Sequence, residues 1–201
     1  MKPVSFTPTK KSLAGSKTFT NLLTSYIAES TAFSRYTFYA GQAEKEKYFE
    51  IANIFNETAQ NELRHAKIYF KYLVDFGDYN IPVGVTAGVI GTTSENLGEA
   101  AREEELEGYE AYTKFAEVAR EEGFDEVADH FDAIAAIERH HRERFLEYKK
   151  QVDDGTVWKR DKPIKWQCLV CGYIFEGTEP PKVCPACDHP YQHYRALDMD
   201  L

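Results

Sequence analysis

Two pairs of residues combine a carboxylate with an imidazole three positions further along the chain. They are Glu62 with His65 and Glu138 with His141. Each pair lies within a long helical pattern, where this spacing places both side chains on one face. The same face carries apolar residues at steps of three and four, so it is predicted to be buried. A buried carboxylate loses its hydration unless positive charge replaces it, which points to a bound metal.

Three further glutamates fall on the buried faces of predicted helices. Glu29 belongs to the first helix, and Glu104 and Glu107 belong to the third, although the acidic run 103–105 leaves one assignment uncertain by one residue. Five carboxylates and two imidazoles would then meet at one level of a four-helix bundle. One Glu from each of two helices, with a Glu-x-x-His pair from each of the others, is typical of di-iron and di-manganese carboxylate proteins. Oxygen ligands with one imidazole per metal favour iron or manganese.

All four cysteines lie near the C-terminus, in two Cys-x-x-Cys pairs separated by 12 residues. They are Cys168, Cys171, Cys184 and Cys187. Four thiolates at this spacing can bind one tetrahedral metal ion, and in a cytosolic chain a metal is favoured over disulfides. Zinc would make this segment a structural ribbon, whereas iron would make it a one-electron carrier. The spacing leaves both metals open.

The first two helices are predicted from caps and breaks. A polar N-terminal arm ends at residue 15, and the first helix begins near residues 16–18 and breaks near residues 41–48. The second helix is predicted to run to Asp75, with Gly77 as its stop. Residues 78–91 contain proline and glycines without helical periodicity, so we expect a long crossover connection.

The third helix is predicted to begin near Thr92, which has capping-box spacing to Glu95, and to end before Gly123. The fourth is predicted to run from Phe124 to residues 153–155. The predicted buried stripe of the third helix is Leu97, Ala100, Glu104, Glu107, Ala111, Phe115 and Val118.

An internal repeat relates the two helix pairs. A shift of 76 residues lays the first Glu-x-x-His pair on the second and Tyr36 on Tyr112. The same shift sets Glu29 opposite Glu105 instead of Glu104. This mismatch leaves open whether one helix carries an extra residue, such as a π-bulge at the site. The two tyrosines fit two interpretations, as core aromatics with one polar tip or as hydroxyls that hold metal-bound carboxylates in place.

Composition limits the class of function. A chain of 201 residues with 43% hydrophobic residues can bury one sizeable core and leave a small additional domain. A net charge of −9 argues against nucleic acid or an anionic membrane surface as the main partner. The sequence has no apolar run typical of a signal peptide or a membrane span, so we expect a cytoplasmic protein.

Several motifs, taken in order, resemble those of the rubrerythrins. They are Ser12-Leu-Ala-Gly-Ser-Lys-Thr, Asn21-Leu-Leu, Glu29-Ser-Thr-Ala-Phe-Ser-Arg-Tyr36, both Glu-x-x-His pairs, Asp154-Gly-Thr-Val-Trp-Lys-Arg-Asp-Lys-Pro163 and Trp166-Gln-Cys168. The resemblance implies an all-α, ferritin-like four-helix bundle with a non-haem di-iron site, followed by a small rubredoxin-like β/loop domain with one iron bound by four cysteines. It places the arm at residues 1–15, the bundle at residues 16–154, and the linker with the rubredoxin-like domain at residues 155–201.

The family resemblance also implies an activity and partners. Rubrerythrins reduce hydrogen peroxide to water in oxidative-stress defence, with electrons from NAD(P)H through a separate reductase or a small rubredoxin. The electrons enter at the four-cysteine iron and pass to the di-iron pair. The resemblance further implies a homodimer in which one subunit's four-cysteine iron approaches the di-iron pair of the other.

Roles for the bundle residues follow from the same resemblance. Glu62 and Glu138 resemble bridging or chelating carboxylates, and Glu29 and Glu104 resemble terminal ligands, one for each iron. The family pattern thereby selects Glu104 from the acidic run.

The remaining ligands resemble the residues that respond to the redox state. Glu107 and His65 resemble the pair that exchange places on one iron, and His141 resembles the permanent imidazole ligand of the other. Tyr36 and Tyr112 match tyrosines beside the site.

Two other classes of protein share parts of this pattern. An iron-oxidising protein of the ferritin kind uses similar helices, but the four-cysteine segment argues for electron delivery. A metal-binding bundle with a structural zinc ribbon would act as a regulator or scaffold. Colour separates these cases, because a ferric tetrathiolate is red and its zinc counterpart is colourless.

Overall fold

The computed structural model describes residues 12–74, 84 and 87–198, with every side chain in these ranges except that of Glu107. Most of the predicted arm, most of the 78–91 connection, and the predicted helix end at Asp75 and Gly77 lie outside the described residues. The helices within them are α1 Lys17–Lys45, α2 Phe49–Leu73, α3 Thr93–Glu103, a π-helix Glu104–Glu110, α4 Ala111–Glu121, α5 Asp125–Asp153 and a short 3₁₀-helix Tyr191–His193.

The predicted four-helix architecture is confirmed, because α3, the π-helix and α4 follow one another without interruption. The first break falls at residues 46–48, within the predicted interval. Ser16 caps α1 by accepting a hydrogen bond from the backbone N–H of Phe19. The predicted capping box at the start of α3 is also confirmed, since Thr92 and Glu95 bond to each other's backbone.

Each half of the bundle caps a helix of the other half. The carboxylate of Glu122, at the end of α4, accepts hydrogen bonds from the backbone N–H groups of Lys17 and Thr18 at 3.0 and 2.8 Å. Glu46, at the end of α1, accepts one from the backbone N–H of Thr93 at 3.1 Å. Glu46 and Glu122 are equivalent in the 76-residue repeat. A carboxylate at a helix start is stabilised by the helix dipole and the free N–H groups.

The π-helix changes which face of α4 is buried. The predicted stripe is correct through Glu104 but wrong from Ala111 onward, because Ala111, Phe115 and Val118 are only half-buried. The buried residues of α4 are instead Tyr112, Ala116 and Ala119. A π-helix accommodates an additional residue, so every later position advances by one. The same insertion explains why Glu29 matches Glu105 in the repeat.

Two apolar clusters lie on either side of the glutamates. One is built around Tyr36, Tyr39, Phe55, Leu97 and Phe145. The other is built around Leu22, Tyr69, Tyr112, Phe131 and Ile134. This packing fixes the helices at the level of the carboxylates and excludes water from both sides.

The C-terminal segment forms an antiparallel sheet in the order β2-β1-β3, with β1 Ile164–Cys168, β2 Ile174–Gly177 and β3 Tyr194–Ala196. Its own small core contains Trp166 and Tyr194. The segment contacts the bundle at the start of α2, where Phe49 stacks on His193 with ring centroids 3.9 Å apart. Tyr48 stacks on Trp158 in the same region at 5.4 Å. Within the described residues, no helix has the length and apolar character required to cross a membrane.

Candidate metal centres

The predicted bundle ligands form two overlapping sets in the structure. One set is Glu29, Glu62, His65 and Glu138, and the other is Glu62, Glu104, Glu138 and His141. Within each set the ligand atoms lie within 4.8 Å of one another. All six residues are between 1% and 4% exposed. Because Glu62 and Glu138 belong to both sets, the arrangement suits two adjacent metal ions bridged by two carboxylates.

Each imidazole faces three carboxylates in the same way. The Nδ1 atom of His65 lies 2.9 Å from Glu62, 3.1 Å from Glu138 and 3.7 Å from Glu29. The Nδ1 atom of His141 lies 3.0 Å from Glu138, 3.2 Å from Glu62 and 3.7 Å from Glu104. The two halves of the site therefore have matching geometry, as the sequence repeat predicts.

The tyrosines orient the two glutamates that are not shared. Tyr36 donates a hydrogen bond of 2.6 Å to Oε1 of Glu104, and Tyr112 donates one of 2.6 Å to Oε1 of Glu29. The Oε2 atom of each glutamate is the one that lies 3.7 Å from an imidazole. Each tyrosine thus holds the outer oxygen of a carboxylate from the other helix pair and leaves the inner oxygen facing the cluster. This contact supports the carboxylate-positioning interpretation.

The electrostatics of the cluster favour bound positive charge. Burial and repulsion from Glu138 raise the pKa of Glu29 and of Glu104 well above the ordinary glutamate value. Burial acts in the same direction on Glu138, but the hydrogen bond with His141 and the adjacent ring of His65 lower its pKa to about 2. Burial favours the neutral form of both imidazoles, yet their carboxylate partners raise the pKa of each ring. Four clustered carboxylates demand more cationic charge than two imidazoles can supply.

Two carboxylate oxygens at the centre of the cluster indicate whether metal ions fit the site. Oε1 of Glu62 and Oε1 of Glu138 are buried and have no hydrogen-bond partner among the described residues. They lie 3.2 and 3.1 Å from an imidazole Nδ1, but these approaches are too poorly aligned to be hydrogen bonds. An orphaned buried carboxylate oxygen is costly, and coordination to a metal satisfies it. The oxygen and imidazole donors therefore fit a pair of iron or manganese ions.

The three glutamates of the acidic run 103–105 have different partners in the structure. Glu104 lies in the cluster, whereas Glu103 bonds to Arg35 and Glu105 pairs with Arg142 at the half-exposed surface. Glu107 lies in the π-helix, and its side chain is outside the described part of the structure. Its predicted role as an iron ligand stays a prediction.

The four cysteines converge in the C-terminal segment. The Sγ atoms of Cys168 and Cys187 are 3.7 Å apart, and those of Cys171 and Cys184 are 3.6 Å apart. All four are free thiols within one cluster. A tetrahedral metal with metal–sulfur bonds of about 2.3 Å requires sulfur–sulfur edges of about 3.8 Å, so the spacing fits. A domain this small depends on such a metal for stability.

Comparison with known protein families divides the chain into the same two parts, a helical bundle and a four-cysteine domain. Residues 20–149 match the model of the rubrerythrin family, and residues 166–195 match that of the rubrerythrin rubredoxin-like domain. The chain belongs to the rubrerythrin family. As a member it is an iron-binding oxidoreductase, with a ferritin-like bundle suited to a di-iron site and a rubredoxin-like four-cysteine iron domain.

Curated rubrerythrins match almost the whole chain. The rubrerythrin of Nitratidesulfovibrio vulgaris is 44% identical over 190 residues, which cover 94% of this chain and 99% of the relative. The rubrerythrin of Porphyromonas gingivalis is 45% identical and covers 95% of both chains. Both sets of bundle ligands lie within the matched lengths.

Solved structures support the fold. A structure of nigerythrin in its fully reduced, all-ferrous state has a TM-score of 0.62 and 29% identity, covering 96% of this chain and 91% of that chain. A bacterioferritin from Desulfovibrio desulfuricans has a TM-score of 0.60 over 69% of this chain, with 22% identity. At that identity the second likeness shows a shared ferritin-like fold alone.

Some residues around this rubrerythrin site were missed by the sequence reasoning. Gly108 packs so closely against Glu138 that an added Cβ atom would lie 2.7 Å from its Cγ. Asn61 lies 3.2 Å from Nε2 of His141. If Nδ1 of His141 binds a metal, Nε2 carries the proton, and the Asn61 amide must present its oxygen to accept it. Asn61 directly precedes the Glu-x-x-His pair, which is the one local clue to its position.

Proposed function

We propose that this protein is a non-haem di-iron peroxidase that reduces hydrogen peroxide to two water molecules in oxidative-stress defence. The observation that carries the proposal is the pair of overlapping ligand sets sharing Glu62 and Glu138, in one chain with a four-cysteine site. A metal pair held by these two ligand sets could deliver two electrons to one substrate, and an iron held by the four cysteines could supply them singly.

The residues would divide the coordination between them. Glu62 and Glu138 would bridge or chelate, Glu29 and Glu104 would each serve one metal, and His65 and His141 would supply one imidazole each. These are the catalytic residues we propose, together with Glu107. Ligand exchange between Glu107 and His65 is proposed from the family resemblance. Replacement of an anionic ligand by a neutral one would keep the buried charge balanced when each iron loses one unit of charge.

When bound and reduced, the iron pair would supply two electrons, one from each ferrous ion, while two protons complete the conversion of one hydrogen peroxide to two waters. Tyr36 and Tyr112 would keep the terminal carboxylates oriented throughout, because each holds an outer oxygen at 2.6 Å. The apolar clusters on both sides would keep bulk water out of the reaction.

Electron entry is proposed at the four-cysteine iron, from a rubredoxin or an NAD(P)H-dependent reductase. Within one chain this route is long. The C-terminal segment contacts α2 at Phe49, and the helix rises about 20 Å from there to Glu62. This separation supports a homodimer in which the electron crosses to the partner subunit. The domain limits at residues 15 and 154 and a cytoplasmic location remain predictions from the sequence.

Metal analysis and single-turnover chemistry test this proposal. Protein purified from iron-replete anaerobic cells should contain about three irons per chain and be red when oxidised, as two ligand sets for oxygen-ligated iron and one tetrathiolate require. After chemical reduction, one equivalent of hydrogen peroxide should oxidise each iron pair. Full zinc occupancy of the cysteines would refute the electron-carrier role. Accumulation of ferric iron beyond the site, without peroxide consumption, would favour a ferritin-like iron oxidase.

A further inference from the structure

A small pocket opens beside the shared glutamates, between α1 and the π-helix. Its volume is about 30 Å³. One water needs roughly 10–15 Å³ of such space, and metal ions bound to the carboxylates in its lining would take part of it. Only a molecule of very few atoms therefore fits, and a branched hydrocarbon does not. The pocket is lined by the carboxylates of the cluster and by three small residues: Ala28, Ala32 and Gly108. We refer to this space as the inner pocket.

A second and larger cavity lies at the surface, between α1 and residues 87–90. Its volume is about 320 Å³, and its walls include Thr31, Ser34 and Phe38. Phe38 is 58% exposed, so this cavity communicates with solvent. We refer to it as the outer cavity. Arg35 belongs to the walls of both spaces.

Arg35 is a charged residue at the boundary between these spaces. It is only 7% exposed, and its Nη1 donates a hydrogen bond of 2.5 Å to the buried carboxylate of Glu103. Its Nε is buried without a hydrogen-bond partner among the described residues. The backbone of Gly88 covers the stem, since an added Cβ there would lie 3.4 Å from Cδ of Arg35. A buried donor without a partner is costly, so a small molecule with an acceptor oxygen is stabilised at this boundary.

We propose that hydrogen peroxide reaches the di-iron centre from the outer cavity, past Arg35, through the inner pocket, and that Arg35 and Ala32 limit the size of the peroxide admitted. This inference rests on the proposed peroxidase function and adds the route of entry and the residues that select the substrate. A small neutral molecule with two acceptor oxygens can use the free Arg35 donor on its way. Organic hydroperoxides with bulky alkyl groups do not fit the inner pocket.

The first test narrows the inner pocket. Ala32→Leu adds three carbon atoms to its lining, and Ala133→Leu, at an exposed position of α5, is the matched control. Two rates are measured on chemically reduced protein: nitric oxide binding by absorbance, which needs entry but no peroxide cleavage, and oxidation by hydrogen peroxide. Ala32→Leu should slow both by about tenfold or more, the effect of one misfitting group in a tight site, and the control should change neither.

The second test removes the two charged side chains at the boundary between the inner pocket and the outer cavity. Arg35→Met and Glu103→Met are combined, so that neither charge is left buried alone. The preference for hydrogen peroxide over tert-butyl hydroperoxide, as a ratio of oxidation rates, should fall by about tenfold, because the boundary loses both its hydrogen bond and its rigidity. Iron content and the spectrum of the oxidised protein should remain those of the wild type.

The outcomes separate the route from the function. If the reduced wild type is not oxidised by hydrogen peroxide, the peroxidase function is wrong, and the nitric oxide rates still judge the route. If the wild type reacts but Ala32→Leu binds nitric oxide at the wild-type rate, or the double variant keeps the wild-type preference, the route is wrong. Should Ala32→Leu fail to retain iron, Ala28→Leu narrows the same pocket and the same rates decide.

Discussion

Replacement of Gly108 by alanine gives a sharp test of how tightly the shared glutamate is positioned. The added Cβ would lie 2.7 Å from Cγ and 2.8 Å from Cβ of Glu138. Carbon atoms in contact are normally about 3.5–4.0 Å apart, so Glu138 or the π-helix must move by about 1 Å. Both lie in a close-packed interior, and the displaced group is a carboxylate that both metal sets share.

The size of the effect follows from opposing contributions. Overpacking a core costs about 1–3 kcal/mol, and the gain in helix propensity from Gly to Ala offsets roughly 1 kcal/mol of it. The net loss in free energy of unfolding is therefore expected to be up to about 2 kcal/mol. A displacement of about 1 Å in the reacting geometry lowers rates by about a hundredfold at most, so peroxide reduction should suffer more than stability.

A matched control is available in α3. An alanine Cβ at Gly98 would meet only the flexible end of Lys149, at 3.1 Å. Gly98→Ala should leave peroxide reduction unchanged and raise stability by up to about 1 kcal/mol through helix propensity. The assays are chemical unfolding, iron content and the stopped-flow rate of peroxide reduction for both variants. Equal behaviour of Gly108→Ala and Gly98→Ala would refute the close contact with Glu138 as a determinant of the site.

Three further predictions concern the tyrosines beside the cluster, the four-cysteine site and the capping carboxylate of Glu46. Tyr36→Phe and Tyr112→Phe should each lower the free energy of unfolding of the iron-loaded protein by about 1.5–3 kcal/mol, because each variant loses one hydrogen bond to a carboxylate. Denaturant unfolding measures this loss. A large difference between the two variants would contradict the symmetry of the site. Changing Cys168 and Cys184 to Ser should abolish turnover driven by NAD(P)H and its reductase, because the entry site for electrons is lost. The chemically reduced bundle should still be oxidised by peroxide in a single turnover. Normal reductase-driven turnover of this variant would refute electron entry at the cysteines. Glu46→Gln should destabilise the metal-free protein at neutral pH, as measured by urea unfolding. Burial raises the pKa of Glu46, but hydrogen bonds from Gln42 and Thr93 lower it overall. The difference should therefore be full above the ordinary glutamate pKa of 4.5 and be lost as the pH falls from there through the lowered pKa of the folded state. A difference that persists in acid would contradict this assignment.

The helices and the cysteine cluster could be predicted because their signals are local. Thr92 with Glu95 forms a capping box from two residue types at one spacing, and both Glu-x-x-His pairs reveal their buried face through helical periodicity. Helix boundaries and the convergence of the ligands follow from these signals alone.

The sequence left open whether one helix carries a π-bulge at the site, and it did not show that residues Glu104–Glu110 form a π-helix. The repeat showed a mismatch at Glu105, and a uniform period of 3.6 then misplaced the buried face of α4 by one residue. Ala111, Phe115 and Val118 were predicted to be buried, whereas the structure buries Tyr112, Ala116 and Ala119. A π-helix depends on packing against α5 and on a close approach at Gly108, which no helical period encodes. The Arg35–Glu103 pair was missed for a related reason, because its partners are distant in sequence and off the predicted stripes.

Mutual capping by Glu46 and Glu122 has a consequence for assembly. In each helical hairpin, the turn between the two helices carries the carboxylate that the other hairpin needs at its first turn. Each tyrosine also reaches a glutamate of the opposite hairpin. The surface joining the hairpins is therefore self-complementary, like the interface of a symmetric dimer. A hairpin supplied by a second copy of the chain would meet identical partners, so a complete metal centre can be assembled with its two halves drawn from different subunits.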